Sequence, residues 1–176
     1  WTKFDQTKLK QNELHEISKR YFNIFPLDKI TKDSVGFDLG CGSGRFAKYI
    51  ASKVKSLHCI DPSNAIDVAK KNLKGFENCF FYRTTVENLP LKNDTMDFGF
   101  SLGVLHHTLY PQEGLNICSS KLKKNSPFLL YLYYYLTYKI LRLKFFCYQI
   151  KSYRNHLWDV YIFIIMIINY SNKFHY

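Results

Sequence analysis

The 176-residue sequence predicts a single α/β domain, a doubly wound and mostly parallel sheet with helices on both faces. Three observations carry this. Short apolar runs recur along the chain, segments of helical length lie between most of them, and a cluster of glycines follows the first run at once. Strands alternating with helices argue for βαβ units, and such units build a parallel sheet covered on both sides. The length suffices for one core but not for two.

The first element is a helix. "QNELHEISKRYF" places Leu14, Ile17, Tyr21 and Phe22 at helical spacing, so it should cover about 12–22. The period then changes. Strands are expected at "VGFDL" (35–39), "LHCID" (57–61), "CFFYR" (79–83), "MDFGFSL" (96–102) and "PFLLYLYYY" (127–135). The segments "RFAKYIASKV", "SNAIDVAKKNL" and "PQEGLNICSSKLKK" are the helices between them. The aromatic run from Tyr131 to Tyr138 begins as the fifth strand and either continues into a substrate wall or is a strand buried on both faces.

Residues 136–176 hold many Tyr, Phe and Ile, six Lys or Arg and one acid, Asp159, without a clear period. A helix near 138–152 and a strand near 160–168 are the expectations there. One domain thus divides into an N-terminal helix or lid segment (1–33), a ligand-binding core (34–135) and a closing or substrate-side segment (136–176). Trp1 and Phe4 either join the first helix as a lid or form a simple apolar cover for the sheet.

Composition narrows the setting. Lys and Arg number 25 against 14 for Asp and Glu, a formal net charge of +11, and the pI is about 9.4. That balance permits nucleic acid, an anionic membrane surface or an acidic substrate without choosing among them. The cysteines Cys41, Cys59, Cys79, Cys118 and Cys147 are odd in number and widely spread, with no C-x-x-C pair of the kind that holds zinc. Reduced thiols in a cytoplasmic protein without a bound metal are expected. "VYIFIIMIINY" (160–170) falls short of the roughly 20 residues that span a bilayer as a helix. Peripheral membrane contact is compatible with the charge. The chain opens at Trp1, so it is read as a fragment or processed form.

The chemistry concentrates after the first strand, where "VGFDLGCGSGRF" puts Asp38 just ahead of Gly40, Gly42 and Gly44. Glycines at a strand-to-helix turn let the backbone approach a ligand. A dinucleotide fold would read G-x-G-x-x-G. Here the third glycine comes one residue early and Arg45 takes its place. An acid two residues ahead of the first glycine also disfavours a polyphosphate and suits a ligand with an ammonium group. Asp61, at the end of the second strand, can accept both hydroxyls of a ribose. A nucleoside with a cationic appendage fits both acids, and S-adenosylmethionine has that shape. Taken singly, Asp38 is also a plausible turn acid and Asp61 a plausible helix cap.

From these residues the chain resembles the class I S-adenosylmethionine-dependent methyltransferases, in particular the small-molecule branch of ubiquinone and menaquinone biosynthesis, with their Rossmann-like sheet. "VGFDLGCGSGRF" is similar to that family's first motif and "LHCIDPSNAIDVAKKN" to its ribose segment. "TTVENLPLKNDTMDFGFSLGVLHHT" is similar to its adenine segment and fourth strand, and the likeness covers about 34–133. It implies that Asp38 faces the amino group of the cofactor and that Gly40, Cys41 and Gly42 line the methionine tail. It further implies Asp61 on the ribose, Pro62 beside the adenine, Thr85, Val86 and Glu87 along the ring edge, and Ser101 with Leu102 as the pocket floor. Cys41 reads as a small filler and not a nucleophile.

Two departures stand out. Thr85 occupies a position where many relatives carry Asp, so the adenine amine would meet an uncharged acceptor. Asn125 and Ser126 replace two glycines before the fifth strand, and Asn tolerates positive φ. The resemblance also implies a closing antiparallel strand pair, to which only the run at 160–168 can contribute. The C-terminal end of the sheet therefore reads as incomplete.

Methyl transfer from a sulfonium is an in-line displacement, for which positioning supplies most of the rate. A base is needed only where the acceptor loses a proton. His106 and His107, after the fourth strand, are the candidates, with a loop-shaping role as the plainer alternative. Adjacent side chains are expected to point apart, which argues against their forming a metal pair. The expected function is methyl transfer to a small-molecule acceptor such as a metabolite, a quinone- or lipid-like compound or a sugar-linked intermediate. Two alternatives stand beside it: methylation of RNA or protein, and a degenerate or truncated fold that binds without catalysing. An Asn or Asp followed by Pro-Pro-Tyr, common in amino-group methylases of nucleic acid, is replaced here by Ser101-Leu102-Gly103-Val104.

Overall fold

The computed structural model describes residues 11–134 and 160–168, with side chains over 13–132. Trp1, Phe4, Cys147 and the helix expected near 138–152 lie outside the described residues. Helix α1 (Gln11–Tyr21) leads to β1 (Val35–Leu39), α2 (Arg45–Ala51), β2 (Ser56–Ile60), α3 (Ala65–Asn72) and β3 (Cys79–Tyr82). Then come β4 (Phe98–Leu102), α4 (Pro111–Lys121), β5 (Ser126–Tyr134) and β6 (Val160–Ile168). The six strands lie in the order β3-β2-β1-β4-β5-β6, and every neighbouring pair is parallel.

After β1 the chain steps outward to β2 and β3, then returns to place β4 on the other side of β1. The reversal opens a crevice at the carboxyl ends of β1 and β4, where folds of this kind bind ligands. Two cores sandwich the sheet because alternate side chains face opposite ways. On one face Leu57, Cys59, Phe98, Phe100 and Leu129 meet Phe22, Phe46, Ile50, Ile66, Ala69 and Leu73 from the α1–α3 side. On the other, Phe37, Leu39, Ile60, Phe128 and Leu130 meet Leu105, Leu115 and Cys118.

Two glycines inside the central strands are explained by this packing. Gly36 pairs with Phe98 and Gly99 with Phe37. A Cβ on Gly36 would fall 2.2 Å from the Phe98 ring, and one on Gly99 2.5 Å from Phe37. Each glycine makes room on one face for the ring of its opposite neighbour, so β1 and β4 join with an aromatic ring over each side.

The expected end of the sheet needs correction. β6 joins β5 in parallel register from Ser126↔Val160 to Tyr134↔Ile168 and not as part of an antiparallel pair. A one-strand run carries its own periodicity but no record of the direction in which it will pair, and this is why the sequence left it open. Among the described residues no helix is long and apolar enough to cross a membrane. Asn125 adopts φ 62° at the turn into β5, so the residue that replaces a glycine there takes up the left-handed conformation itself.

Candidate functional site

Asp38 is the penultimate residue of β1 and only 2% exposed. Strand alternation puts it on the α1–α3 face, between Cys59 of β2 and Phe100 of β4. Its Oδ2 is buried and has no hydrogen-bond partner among the described residues. Burial first, and the charge of Asp61 second, push its carboxyl well above the usual range, with Arg45 pulling the other way. Neither a helix cap nor a turn acid leaves a carboxylate in that condition.

The glycine turn crosses directly above. The amides of Gly40 and Cys41 donate to the carbonyl of Ile60 at 2.7 and 3.0 Å, which ties the turn to β2. Gly40 and Gly42 have φ of +76° and +54°, where a residue with a Cβ is strained. Their surroundings differ. A Cβ on Gly40 would fall 2.2 Å from Val104 Cγ2, whereas one on Gly42 would meet nothing within 4 Å. Gly44 is the close-approach position, with Leu73 at the C-cap of α3 and Ala69 within it at 2.9 and 3.3 Å from an added Cβ.

Asp61 closes the other side. Its Oδ2 accepts the Gly42 N–H at 2.9 Å. Its Oδ1 accepts the Ser63 N–H at 2.9 Å and the Ser63 hydroxyl at 2.6 Å. It is therefore not the cap of α3: Asn64 holds that position, without a side-chain capping bond. Asp61 instead clamps the glycine turn to the end of β2, and with three donors held about one lone pair, on Oδ2, remains for a ligand. The charge of Asp61 opposes ionisation of Asp38, and the open position at Gly42 lies on the turn between them.

The remaining expected residues fall on both sides of this cradle. Cys41 is buried in the turn. A hydrogen bond with Cys59 lowers its thiol, yet burial and the nearby carboxyls outweigh this and raise it overall, which suits a filler. Pro62 is exposed at the tip after Asp61. Thr85 precedes the 3-10 turn Val86–Asn88, in which Val86 is buried. A hydrogen bond from Thr85 holds the exposed Glu87 carboxyl below its ordinary value. With that hydrogen donated to Glu87, the oxygen of Thr85 is left to accept. Leu102 packs on the Asp38 face. Ser101 is fully buried, its Oγ without a partner among the described residues, and period-two alternation sends it to the opposite face. The structure therefore does not bring the Ser101 hydroxyl to Asp38.

His106 and His107 lie in the 3-10 turn Leu105–His107. The expectation that they point apart is corrected: their ring centroids are 3.9 Å apart, at 46°. Neighbours that differ by about 180° in extended chain differ by about 120° in a turn of three residues, which lets two adjacent rings approach. Burial first, then the charge of His107, lower the His106 imidazole to about 4. Among the described residues no group of three His, Cys, Asp or Glu could hold a metal ion. Two supporting residues gave no signal in the sequence. Ser63 holds Asp61, and Asn72 Nδ2 reaches from the end of α3 to the Ser43 carbonyl at 2.9 Å.

The donors and spaces fit an adenosine derivative with a cationic tail. A buried carboxyl has one oxygen without a hydrogen-bond partner among the described residues, the turn that follows it stands open at Gly42, and a second carboxylate at the next strand end keeps one acceptor site. Comparison with known proteins agrees. Residues 37–130 match the family model described as a methyltransferase domain. A curated relative, the probable cobalt-precorrin-6B C(15)-methyltransferase (decarboxylating) of Methanococcus vannielii, is 34% identical over 83 residues. These are 46% of this chain and 43% of the relative, so the chain spans less than half of that protein's length. Among solved structures, the YcgJ protein of Bacillus subtilis superposes with a TM-score of 0.59 at 21% identity, over 87% of this chain and 63% of that one. The Haemonchus contortus phosphoethanolamine N-methyltransferase 1, in complex with phosphoethanolamine and S-adenosylhomocysteine, superposes with 0.57 at 15% identity, over 65% and 25%. With the family model matching more than half of its length and the cradle built from that same segment, this chain belongs to the class I S-adenosylmethionine-dependent methyltransferases.

Proposed function

We propose that this protein transfers the methyl group of S-adenosylmethionine to a small-molecule acceptor by in-line displacement at the carboxyl ends of β1 and β4. The observation that carries the proposal is the cradle itself: the partnerless Asp38 Oδ2 beneath a glycine turn that is open at Gly42 and clamped by Asp61. The cofactor supplies an activated methyl group on a sulfonium. The chain's own residues bind and orient. Asp38 receives the ammonium of the amino-acid tail, the Gly40–Gly42 backbone lines that tail, and Asp61 accepts from the ribose. Thr85 accepts from the adenine amine, with Pro62, Val86, Glu87 and Leu102 around the ring. Holding two reactants in line can be worth about 7–11 kcal/mol, so no further catalytic group is intrinsically required.

The acceptor side favours an apolar small molecule. Leu109 and Tyr110, directly after the His106–His107 turn, are 90% and 63% exposed, and they offer an apolar edge where an acceptor would approach. The curated relative, named for methylation of a cobalt-precorrin, supports a metabolite as acceptor. His106 is neutral at physiological pH and takes a proton where the acceptor must lose one.

Incubation with S-adenosylmethionine labelled in its methyl group tests this. Label is expected in the small-molecule fraction of a cell extract. Label confined to RNA or protein would move the acceptor class, and failure to bind S-adenosylmethionine or its demethylated product would leave only a non-catalytic module.

A further inference from the structure

Asp38 occupies a place where a buried negative charge has little support. Its Oδ2 has no donor, and its partners across the sheet offer a thiol and an aromatic ring, Cys59 and Phe100. From the end of β2, Asp61 faces it while holding three donors of its own. From β3, Cys79 adds to the opposition, and from the start of α2, Arg45 is the cation that offsets it. The turn contributes Cys41, a buried thiol whose own ionisation the two carboxyls oppose. Desolvation dominates this set and Arg45 offsets it only in part.

We propose that Asp38 carries a proton in the ligand-free protein and gives it up to solvent when the ammonium of a bound amino-acid tail takes its place. The inference rests on the cofactor reading above and deepens it. The O–H bond of the carboxyl breaks, the proton passes to buffer, and the carboxylate remains beside the ammonium. No oxidant or co-reactant is involved. Binding is then stronger at higher pH, by up to tenfold per pH unit, until the ligand-free carboxyl is already ionised. It also follows that the proton answers to the tail and not to the nucleoside.

Calorimetric titration with S-adenosylhomocysteine at pH 6, in two buffers of different ionisation enthalpy, reads the proton directly. At that pH an α-amino group, with an ordinary pKa of about 7.7–8.0, is already an ammonium and takes up none itself. The apparent enthalpies should differ by the release of up to one proton. They should coincide for Asp38→Asn, and for 5′-methylthioadenosine, which has the nucleoside and thioether but no tail. Binding of S-adenosylhomocysteine with the same enthalpy in both buffers overturns the inference and leaves the cofactor reading intact. No binding at all overturns the cofactor reading instead. Carboxyl 13C NMR of the ligand-free protein supplies a check that needs no ligand. One signal, missing in Asp38→Asn, should titrate well above the exposed aspartates, and ordinary titration of that signal overturns the inference as well.

Discussion

Gly40 and Gly42 are two residues apart in the same turn, both with positive φ, yet an alanine at each should do opposite damage. Either substitution forces a Cβ into the left-handed region, at about 1–2 kcal/mol. At Gly40 the new methyl also lands 2.2 Å from Val104 Cγ2 and 2.7 Å from Cγ1, an overpacking that costs about 1–3 kcal/mol. The sum is about 2–5 kcal/mol, and at about 2–4 °C per kcal/mol for a chain of this size the midpoint should fall by about 4–20 °C. At Gly42 nothing lies within 4 Å of the added Cβ, so the strain stands alone and the midpoint should fall less. The methyl instead enters the space the ligand would use, and S-adenosylhomocysteine should bind at least tenfold more weakly, about 1.4 kcal/mol. Thermal melting and calorimetry on both variants separate the effects. Val104→Ala should restore part of the stability of Gly40→Ala, because the two changes meet at one contact. A larger midpoint loss at Gly42 than at Gly40, or unchanged binding by Gly42→Ala, would refute the geometry.

Asp61→Asn should weaken S-adenosylhomocysteine binding by about 10- to 100-fold, since hydrogen bonds to a charged acceptor are worth about 1.5–3 kcal/mol; unchanged affinity by calorimetry would remove Asp61 from the ribose. His106→Ala should lower turnover by about 10²–10⁴-fold with cofactor affinity unchanged if His106 takes the acceptor's proton. With the imidazole lowered to about 4 by burial, its limb in the pH–rate profile should fall near pH 4, and an inflection from it near 6.5 would contradict the burial. Asp38→Asn should raise the melting temperature of the ligand-free protein at neutral pH. The folded carboxyl is raised, so its contribution to stability is fully present below the unfolded value and is lost as pH rises through the folded one. The gain should therefore shrink toward pH 4, and a variant less stable than the native chain at pH 7 would show Asp38 to be supported after all.

The strands and the turn of the candidate site were legible because these parts are local. Short apolar runs placed β1 to β5 within about two residues, and the acid followed by alternating glycines marked the turn. The tolerance of Asn for positive φ anticipated Asn125. What stayed hidden depends on tertiary approach. Asn72 reaches Ser43 across 29 residues and has no motif of its own. The rings of His106 and His107 lie side by side in a 3-10 turn that has no signature in their own residues. The parallel direction of β6 is likewise a property of the pairing with β5 and not of its own residues.

The cradle gathers the least favourable features of the chain at one end of a well-packed sheet. Gly40, Gly42, Gly44 and Gly103 all have positive φ there, and the Oδ2 of the buried Asp38 has no donor among the described residues. Below them the opposed Gly36–Phe98 and Phe37–Gly99 pairs lock β1 to β4 from both faces, so the strain is held by strands that have no comparable defect. Under the proposed reading, such a division would let a ligand's own charge and hydrogen-bonding groups complete the site. Substitutions that relieve the cradle should therefore stabilise the protein at the expense of binding, while those that loosen the Phe pairs should weaken both together.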